Sequence, residues 1–190
     1  MAKPCFSASI RLLAIGLLMA ACSTRPGPEV LTPQTESSSG GKIVTVFVAT
    51  TRARAVGSAD QFTSGRASEM SFSEYDISIP PDHLSGEIEW PTASDFDPAR
   101  NFMVVRHNQI DRGTFERRMA HSMRKGHGGG IFVHGYNTSY QEGLFRLAQM
   151  SADSNVNGAP VLFSWPSEAR LMDYATDKEA ATYSRDGLAA

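Results

Sequence analysis

The stretch Gly129-Gly130-Ile131-Phe132-Val133-His134-Gly135-Tyr136-Asn137 constrains the fold more than any other part of this chain. Ile131, Phe132 and Val133 make a short strand too apolar to be half-exposed, and it breaks off at a His-Gly turn. Thr138 and Ser139 then offer N-cap oxygens to an apolar-periodic segment. A buried strand, a glycine turn and a helix start form one βα unit of a parallel sheet, with its functional end at the turn. Backbone N–H groups at such a turn, beside a helix N-terminus, are placed to hold negative charge developing on an oxygen.

The flanking segments fit around that unit. Ile43 to Val48 is apolar on nearly every residue and reads as a well-covered strand, and the run from there to Ser68 reads as loop. Met70 and Phe72 keep one phase while Tyr75, Ile77 and Ile79 keep the other, which predicts a strand with a bulge near Ser73 or Glu74, closed by Pro80-Pro81. Ile88 and Trp90 alternate with Glu87 and Glu89 as on a half-exposed strand, and Phe102 to Val105 is another covered run. Four strands with no helix between them imply antiparallel pairing. Beyond Asp111, Phe115, Met119 and Met123 recur at helical spacing. Arg117, Arg118, Arg124 and Lys125 lie on the other faces of that helix, as a solvated surface or as a site for an anionic partner. Leu144, Leu147, Ala148 and Ser151 mark an amphipathic helix, Pro160 to Ser164 a buried strand, and a last helix runs from about Lys178. The expected fold is α/β: antiparallel strands first, then parallel strands at 131 and 161 near the sheet's centre, with helices on both faces.

Composition bounds the function. The 190 residues are 41% apolar and 20% charged, enough for one core, and the net charge of −2 argues against a nucleic-acid binder. Lys3 and Arg11 precede an unbroken apolar run from Leu12 to Ala21, too short to span a bilayer, which takes about 20 residues. Residues 1–21 therefore read as a secretory signal peptide. Met19-Ala20-Ala21-Cys22 resembles the lipobox of bacterial lipoproteins, with Met19 where leucine is usual; this implies a lipidated Cys22, with ordinary cleavage and a bare Cys22 as the alternative. The expected location is the bacterial cell envelope, exported and lipid-anchored in the membrane, the outer membrane favoured because Ser23 follows the cysteine, or else the periplasm. Residues 22–41, with prolines 26, 28 and 33 and a Ser/Gly end, read as a flexible tether, and 42–190 as the folded domain.

Several residues imitate chemistry. His127-Gly128-Gly129-Gly130 matches by letter an oxyanion motif of lipases, but it precedes a strand, and that motif must follow one. Ala120-His121-Ser122-Met123-Arg124 imitates a nucleophile elbow, yet Ala120 and Arg124 stand where the strained turn needs glycine. Ser122 reads as mid-helix. His134 is open to three readings: a general base, a metal ligand with His121 and His127, or a structural residue that packs and hydrogen-bonds the turn. The three histidines are unevenly spaced and sit in different elements, so no metal site and no cofactor is expected.

Taken together, Val48 to Arg52, Ile77 to Pro80, His83 to Gly86, Glu89-Trp90-Pro91, Phe132 to Asn137 and Phe163-Ser164-Trp165-Pro166-Ser167 resemble, in this order, an α/β-hydrolase family marked by its His-Gly-Tyr-Asn turn. Tyr174, Asp177 and Ser184 look like its downstream pattern, and the likeness runs over about residues 42 to 190. It implies an esterase- or lipase-like activity on a small-molecule ester: serine attack, a histidine base, an acidic orienter, and backbone donors for the oxyanion. By position the Tyr136 N–H is the implied oxyanion donor, supported by His134, by Gly135, which permits the turn, and by Asn137, which braces it. The family order is Ser, acid, His, opening at an elbow after the Phe163 strand. No Gly-x-Ser-x-Gly occurs in the sequence, so nucleophile, acid and base are absent, and the reading is of a partial α/β-hydrolase fold truncated before the nucleophile elbow and inactive as given. The alternative is a membrane-tethered, non-catalytic binding or envelope lipoprotein.

Overall fold

A computed structural model describes residues 25–34, 41–58, 61–92, 96–124, 128–154 and 158–189. The proposed signal peptide and Cys22 lie outside the described residues. The sheet has five strands: β1 (Lys42–Arg54), β2 (Phe62–Ile79), β3 (Met103–Ile110), β4 (Gly129–Val133) and β5 (Ala159–Ser164). Three helices follow or connect them: α1 (Arg112–Arg124), α2 (Tyr140–Asp153) and α3 (Tyr174–Ala189). The strand order is β3-β2-β1-β5-β4. β1 pairs antiparallel with β2 and parallel with β5, and β5 pairs parallel with β4. This is a mixed α/β sheet consistent with a partial α/β-hydrolase fold.

The apolar run of β1 is buried because both its faces are covered. Val44, Val46 and Val48 meet Leu144, Phe145, Leu147 and Ala148 of α2 on one side. Phe47 and Ala49 join Phe115 of α1, Ala180 of α3 and Phe163 on the other. A strand wrapped on both faces carries no polar alternation.

Four expectations need correction. β2 begins at Phe62, so the loop read up to Ser68 is in fact the far half of a long hairpin with β1. The phase change that read as a bulge near Ser73 corresponds to register shifts elsewhere, between Asp76 and Ile77 against β3 and after Thr50 against β1. Ile88 and Trp90 form no strand: both pack from an irregular segment onto the α2-side core, with Trp90 4.9 Å from the Phe145 ring, so three strands rather than four precede α1. Finally, β4 is neither central nor well covered. Among the described residues it pairs on one side only, as the sheet edge, and Ile131 and Val133 are 64% and 44% exposed.

The tether read over residues 22–41 also holds more structure than composition revealed. Pro28–Leu31 is a short 3-10 helix, Val30 and Leu31 are buried in the α2-side core, and Gln34 N donates to Val104 O at 2.9 Å. Two apolar residues between prolines have no periodicity to detect, yet they fill a gap at the sheet's flank.

Candidate functional site

The parallel strands β4, β5 and β1 point their C-terminal ends to one edge, and there the turn after β4 is built. Ser139 caps α2: its hydroxyl accepts from Glu142 N, and the Glu142 carboxylate accepts from Ser139 N at 2.8 Å, a reciprocal capping box. Asn137 takes the left-handed conformation, φ +57°, which asparagine tolerates better than most residues. Gly135 is not at positive φ, and a Cβ there would meet nothing within 4 Å. The turn's conformational demand therefore falls on Asn137, not on Gly135. The bare Gly135 leaves the backbone open to close approach.

Three successive N–H groups of the turn are occupied. Asn137 N donates to Asp177 Oδ2 at 2.9 Å, Thr138 N to Ser167 Oγ at 3.2 Å, and Ser139 N to Glu142. The Tyr136 N–H donates to no group among the described residues. The Tyr136 ring stands edge-on to Tyr174 at 5.4 Å. On the α2 side of the turn lies a cavity of about 720 Å³, reaching Gly135 and Asn137, with Trp90, Arg25 and Arg146 in its walls.

Beneath the turn lies a buried polar network that patterns in the sequence did not single out as a site. Arg52, 3% exposed, donates from Nε to Ser164 Oγ at 3.0 Å, from Nη1 to Ser167 O at 3.0 Å and Thr63 O at 3.3 Å, and from Nη2 to Thr138 O at 3.0 Å. One side chain thus ties β1, β2, the end of β5 and the turn after β4. Burial lowers its pKa to about 10, against the opposing pull of Tyr140, Asp177, Glu168 and Glu142, so it stays charged at neutral pH.

Asp177 sits 1% exposed in the first turn of α3. Its Oδ2 accepts from Asn137 N and from Ser167 Oγ at 2.6 Å, and its Oδ1 from Glu168 N at 2.7 Å. Burial alone would raise the carboxyl pKa. The Ser167 hydroxyl, the two backbone N–H donors and the Arg52 charge outweigh it and hold the group below the usual aspartate range. Ser184, from the same helix, lies 2.7 Å from Thr51, so α3 is joined to β1 as well.

His134 is 3% exposed, stacked on Trp165 at 4.9 Å, and the Trp165 indole donates back to His134 O at 2.8 Å. Its Nδ1 lies 2.8 Å from Gly135 O and its Nε2 lies 3.3 Å from Ser164 Oγ and 3.1 Å from Trp165 O. A neutral ring carries one N–H, and the Nδ1–H tautomer puts it on the shorter carbonyl contact, leaving the Nε2 lone pair beside Trp165 O at 3.1 Å. Arg52 donates to Ser164, the Ser164 hydroxyl donates to Nε2, Nδ1–H donates to Gly135 O, and Trp165 O accepts from Ser167 N at 2.9 Å. A serine–histidine pair is therefore present, but Ser164 is fully buried and its hydroxyl is committed. It is no accessible nucleophile. Burial, and after it the Arg52 charge, push His134 from 6.5 down to about 4, too weak a base for work near neutrality.

That depression carries a sign for stability. The folded protein keeps His134 neutral while the unfolded chain takes up a proton below pH 6.5. Stability is thus full above 6.5 and is lost as pH falls toward and through about 4. Urea unfolding at pH 7 and pH 4.5 is expected to differ by about 2 kcal/mol from this group alone. His134→Gln removes that component. An identical pH dependence in the variant would refute it.

The remaining sequence candidates scatter. Ser122 lies inside α1 and His121 is exposed on it, while His127 lies outside the described residues. No group of three or more His, Cys, Asp or Glu that could hold a metal occurs among the described residues. His83, Glu89 and Trp90 belong to the segment that packs down α2, where the His83 ring bridges Glu89 at 2.8 Å and Asp153 at 3.0 Å, at the opposite end of the helix from the turn. Among the described residues no helix is long and apolar enough to cross a membrane.

Comparison with curated proteins and with solved structures found no match. Residues 112–190, which span α1, β4, the turn, α2, β5 and α3, match a family described as alpha/beta hydrolase of unknown function (DUF900). That match covers 79 of the 190 residues, less than half of the chain, and includes the turn but not Arg52; it supports an α/β-hydrolase family for this protein.

Proposed function

We propose that this chain carries the oxyanion loop of a serine-type, esterase-like α/β-hydrolase, with the Tyr136 N–H as the donor to the oxyanion of a small-molecule ester. The observation that carries the reading is local: at the C-terminal end of a parallel strand, the N–H groups of Asn137, Thr138 and Ser139 are bonded, whereas among the described residues those of Gly135 and Tyr136 are not. His134, Gly135 and Asn137 serve that donor without reacting. His134 pins the turn to the exit of β5, Gly135 leaves room for an oxygen, and Asn137 supplies the left-handed bend. The one-sided pairing of β4, with Ile131 and Val133 exposed, suits a further parallel strand alongside it. A nucleophile, acid and base are no part of this sequence, so the chain by itself binds and does not turn over. Cys22 is read as a lipid anchor in a bacterial envelope. A second reading, a lipid-anchored protein with a binding role only, draws on the same free donor and on the commitment of the buried Ser164–His134 pair.

The 190-residue chain is expected to show no hydrolysis of a short-chain p-nitrophenyl ester above background. Joined in frame to a strand–elbow–helix unit that brings Gly-x-Ser-x-Gly, an acid and a histidine, it is expected to become active. In that active form Tyr136→Pro, which deletes the N–H, lowers kcat by about 10²–10³, the usual effect of losing one oxyanion donor, while Tyr136→Phe changes it little. Thermal melts of both variants separate a distorted turn from a lost donor. Hydrolysis by the 190-residue chain that Ser122→Ala abolishes would overturn the assignment. Activity in the joined protein that is indifferent to Tyr136→Pro would overturn Tyr136 as the donor, and a joined protein that folds but shows no activity would favour the binding-only reading.

A further inference from the structure

Residues 25–31 run across the candidate turn instead of hanging free of it. Arg25 Nη2 donates to Asn137 O at 3.0 Å and to Asn137 Oδ1 at 2.9 Å, and Nη1 pairs with Glu142 at 3.1 Å. Gln141 Nε2 donates to Pro26 O at 2.6 Å, and Val30 and Leu31 are sunk in the core. The chain therefore enters the domain at the edge where the parallel strands end. Cys22 stands three residues before Arg25, a reach of at most about 11 Å along the backbone.

The same edge is apolar at its surface. Leu171 and Met172, in the turn before α3, are 68% and 90% exposed, and beside them stand Tyr174 and its edge-on partner Tyr136. Two long apolar side chains with two tyrosines, whose rings favour the headgroup region, form the kind of patch that sits in a bilayer interface. Arg170 next to it stays solvated, with Asp173 at 3.7 Å.

We propose that this edge of the sheet is a membrane-docking surface, with Leu171, Met172, Tyr136 and Tyr174 in the interface of the phospholipid bilayer that holds the anchor, and with Arg25 as the strap that keeps the turn there. The proposal rests on the anchoring at Cys22 put forward above. Its consequence is a substrate class: the Tyr136 N–H faces esters dissolved in lipid, not esters free in water.

Thiol labelling separates the two claims. Lipidation consumes the Cys22 thiol and Cys5 lies in the segment removed with the signal, so a cysteine introduced elsewhere is the single reactive thiol of the mature chain. Met172→Cys and Leu84→Cys are made in the full precursor and produced in a bacterial host fed labelled fatty acid. Leu84 is also exposed, at 67%, but follows β2 at the opposite end of the sheet. Each protein is tagged with an environment-sensitive fluorophore and reconstituted in vesicles of phosphatidylethanolamine and phosphatidylglycerol that carry a lipid-borne quencher. Quenching at 172 is expected to exceed that at 84 by about threefold or more, since an interfacial patch enters the headgroup boundary and a distal loop does not. Arg25→Ala is expected to bring the ratio toward one while the fatty-acid label stays. Absence of fatty acid overturns the anchoring reading and this proposal together. Label present with equal quenching at both positions overturns the docking surface and leaves the anchor standing. A ratio unmoved by Arg25→Ala removes the strap from the proposal.

Discussion

Arg52→Ala is expected to destabilise the protein by about 3–5 kcal/mol, a large part of the 5–15 kcal/mol available to a domain. The guanidinium makes four hydrogen bonds, to Ser164, Ser167, Thr63 and Thr138, and three of these acceptors are main-chain carbonyls. The four acceptors come from three separate parts of the chain. Removing the donor leaves the buried Ser167 carbonyl and two part-buried carbonyls without this partner, which costs more than the bonds themselves contributed, and takes the Arg52 charge away from Asp177. Arg52→Lys keeps the charge but not the planar fork, so it is expected to fall between wild type and alanine. The midpoint of urea unfolding measures both. A loss below about 1 kcal/mol for alanine would mean that water replaces the guanidinium and that the network is not structural.

The second large effect is expected at Asp177. Asparagine has nearly the same shape but offers one acceptor oxygen, whereas Asp177 receives three donors on two oxygens. One donor must then face an NH2 group, so Asp177→Asn is expected to cost about 2–3 kcal/mol. The acid limb carries the same signature. The folded carboxyl lies below its unfolded value, so its contribution is present above the unfolded pKa and lost as pH falls through the folded one. The variant is expected to have a flatter stability profile below about pH 4. Arg52 and Asp177 both grip Ser167, one at its carbonyl and one at its hydroxyl. The double variant Arg52→Ala, Asp177→Asn is therefore expected to lose less than the sum of the singles, with a coupling of about 1 kcal/mol. Strict additivity would show that the two residues act separately.

Much of the α/β half was legible because it is built from local rules. Thr138 and Ser139 announce the start of α2, the apolar spacing of Leu144, Leu147 and Ala148 marks its buried face, and Pro160 to Ser164 is the strand it leads to. What escaped depended on partners far along the chain. Arg52 reads as a polar residue ending a strand, and nothing near it in sequence indicates that three of its four acceptors lie 86 to 115 residues away. The apolar letters of β4 imply cover on both faces, yet a strand's letters do not say whether a neighbour lies beside it. Residues 53 to 68 look like loop because the outer half of the β1–β2 hairpin has little core to face, and polar side chains there are no obstacle to main-chain pairing. The site itself divides the same way: the turn is a local pattern, while Asp177, which holds it, is 40 residues downstream.

The placement of β1 between an antiparallel and a parallel neighbour also sets an order of assembly. The hairpin partner β2 emerges directly after β1, but Ser164, to which Arg52 must bond, comes 112 residues after it. Those 112 residues must all be delivered before the strand that completes the sheet's centre is available. In that interval the Arg52 guanidinium stays hydrated, and β1 presents an open hydrogen-bonding edge in the middle of the future core. Closure by β5 then buries the charge and caps that edge, and Asp177, from the helix that follows, holds the turn. The candidate site is thus the last part of this sheet to come into being, and its formation reports that the whole sheet has closed.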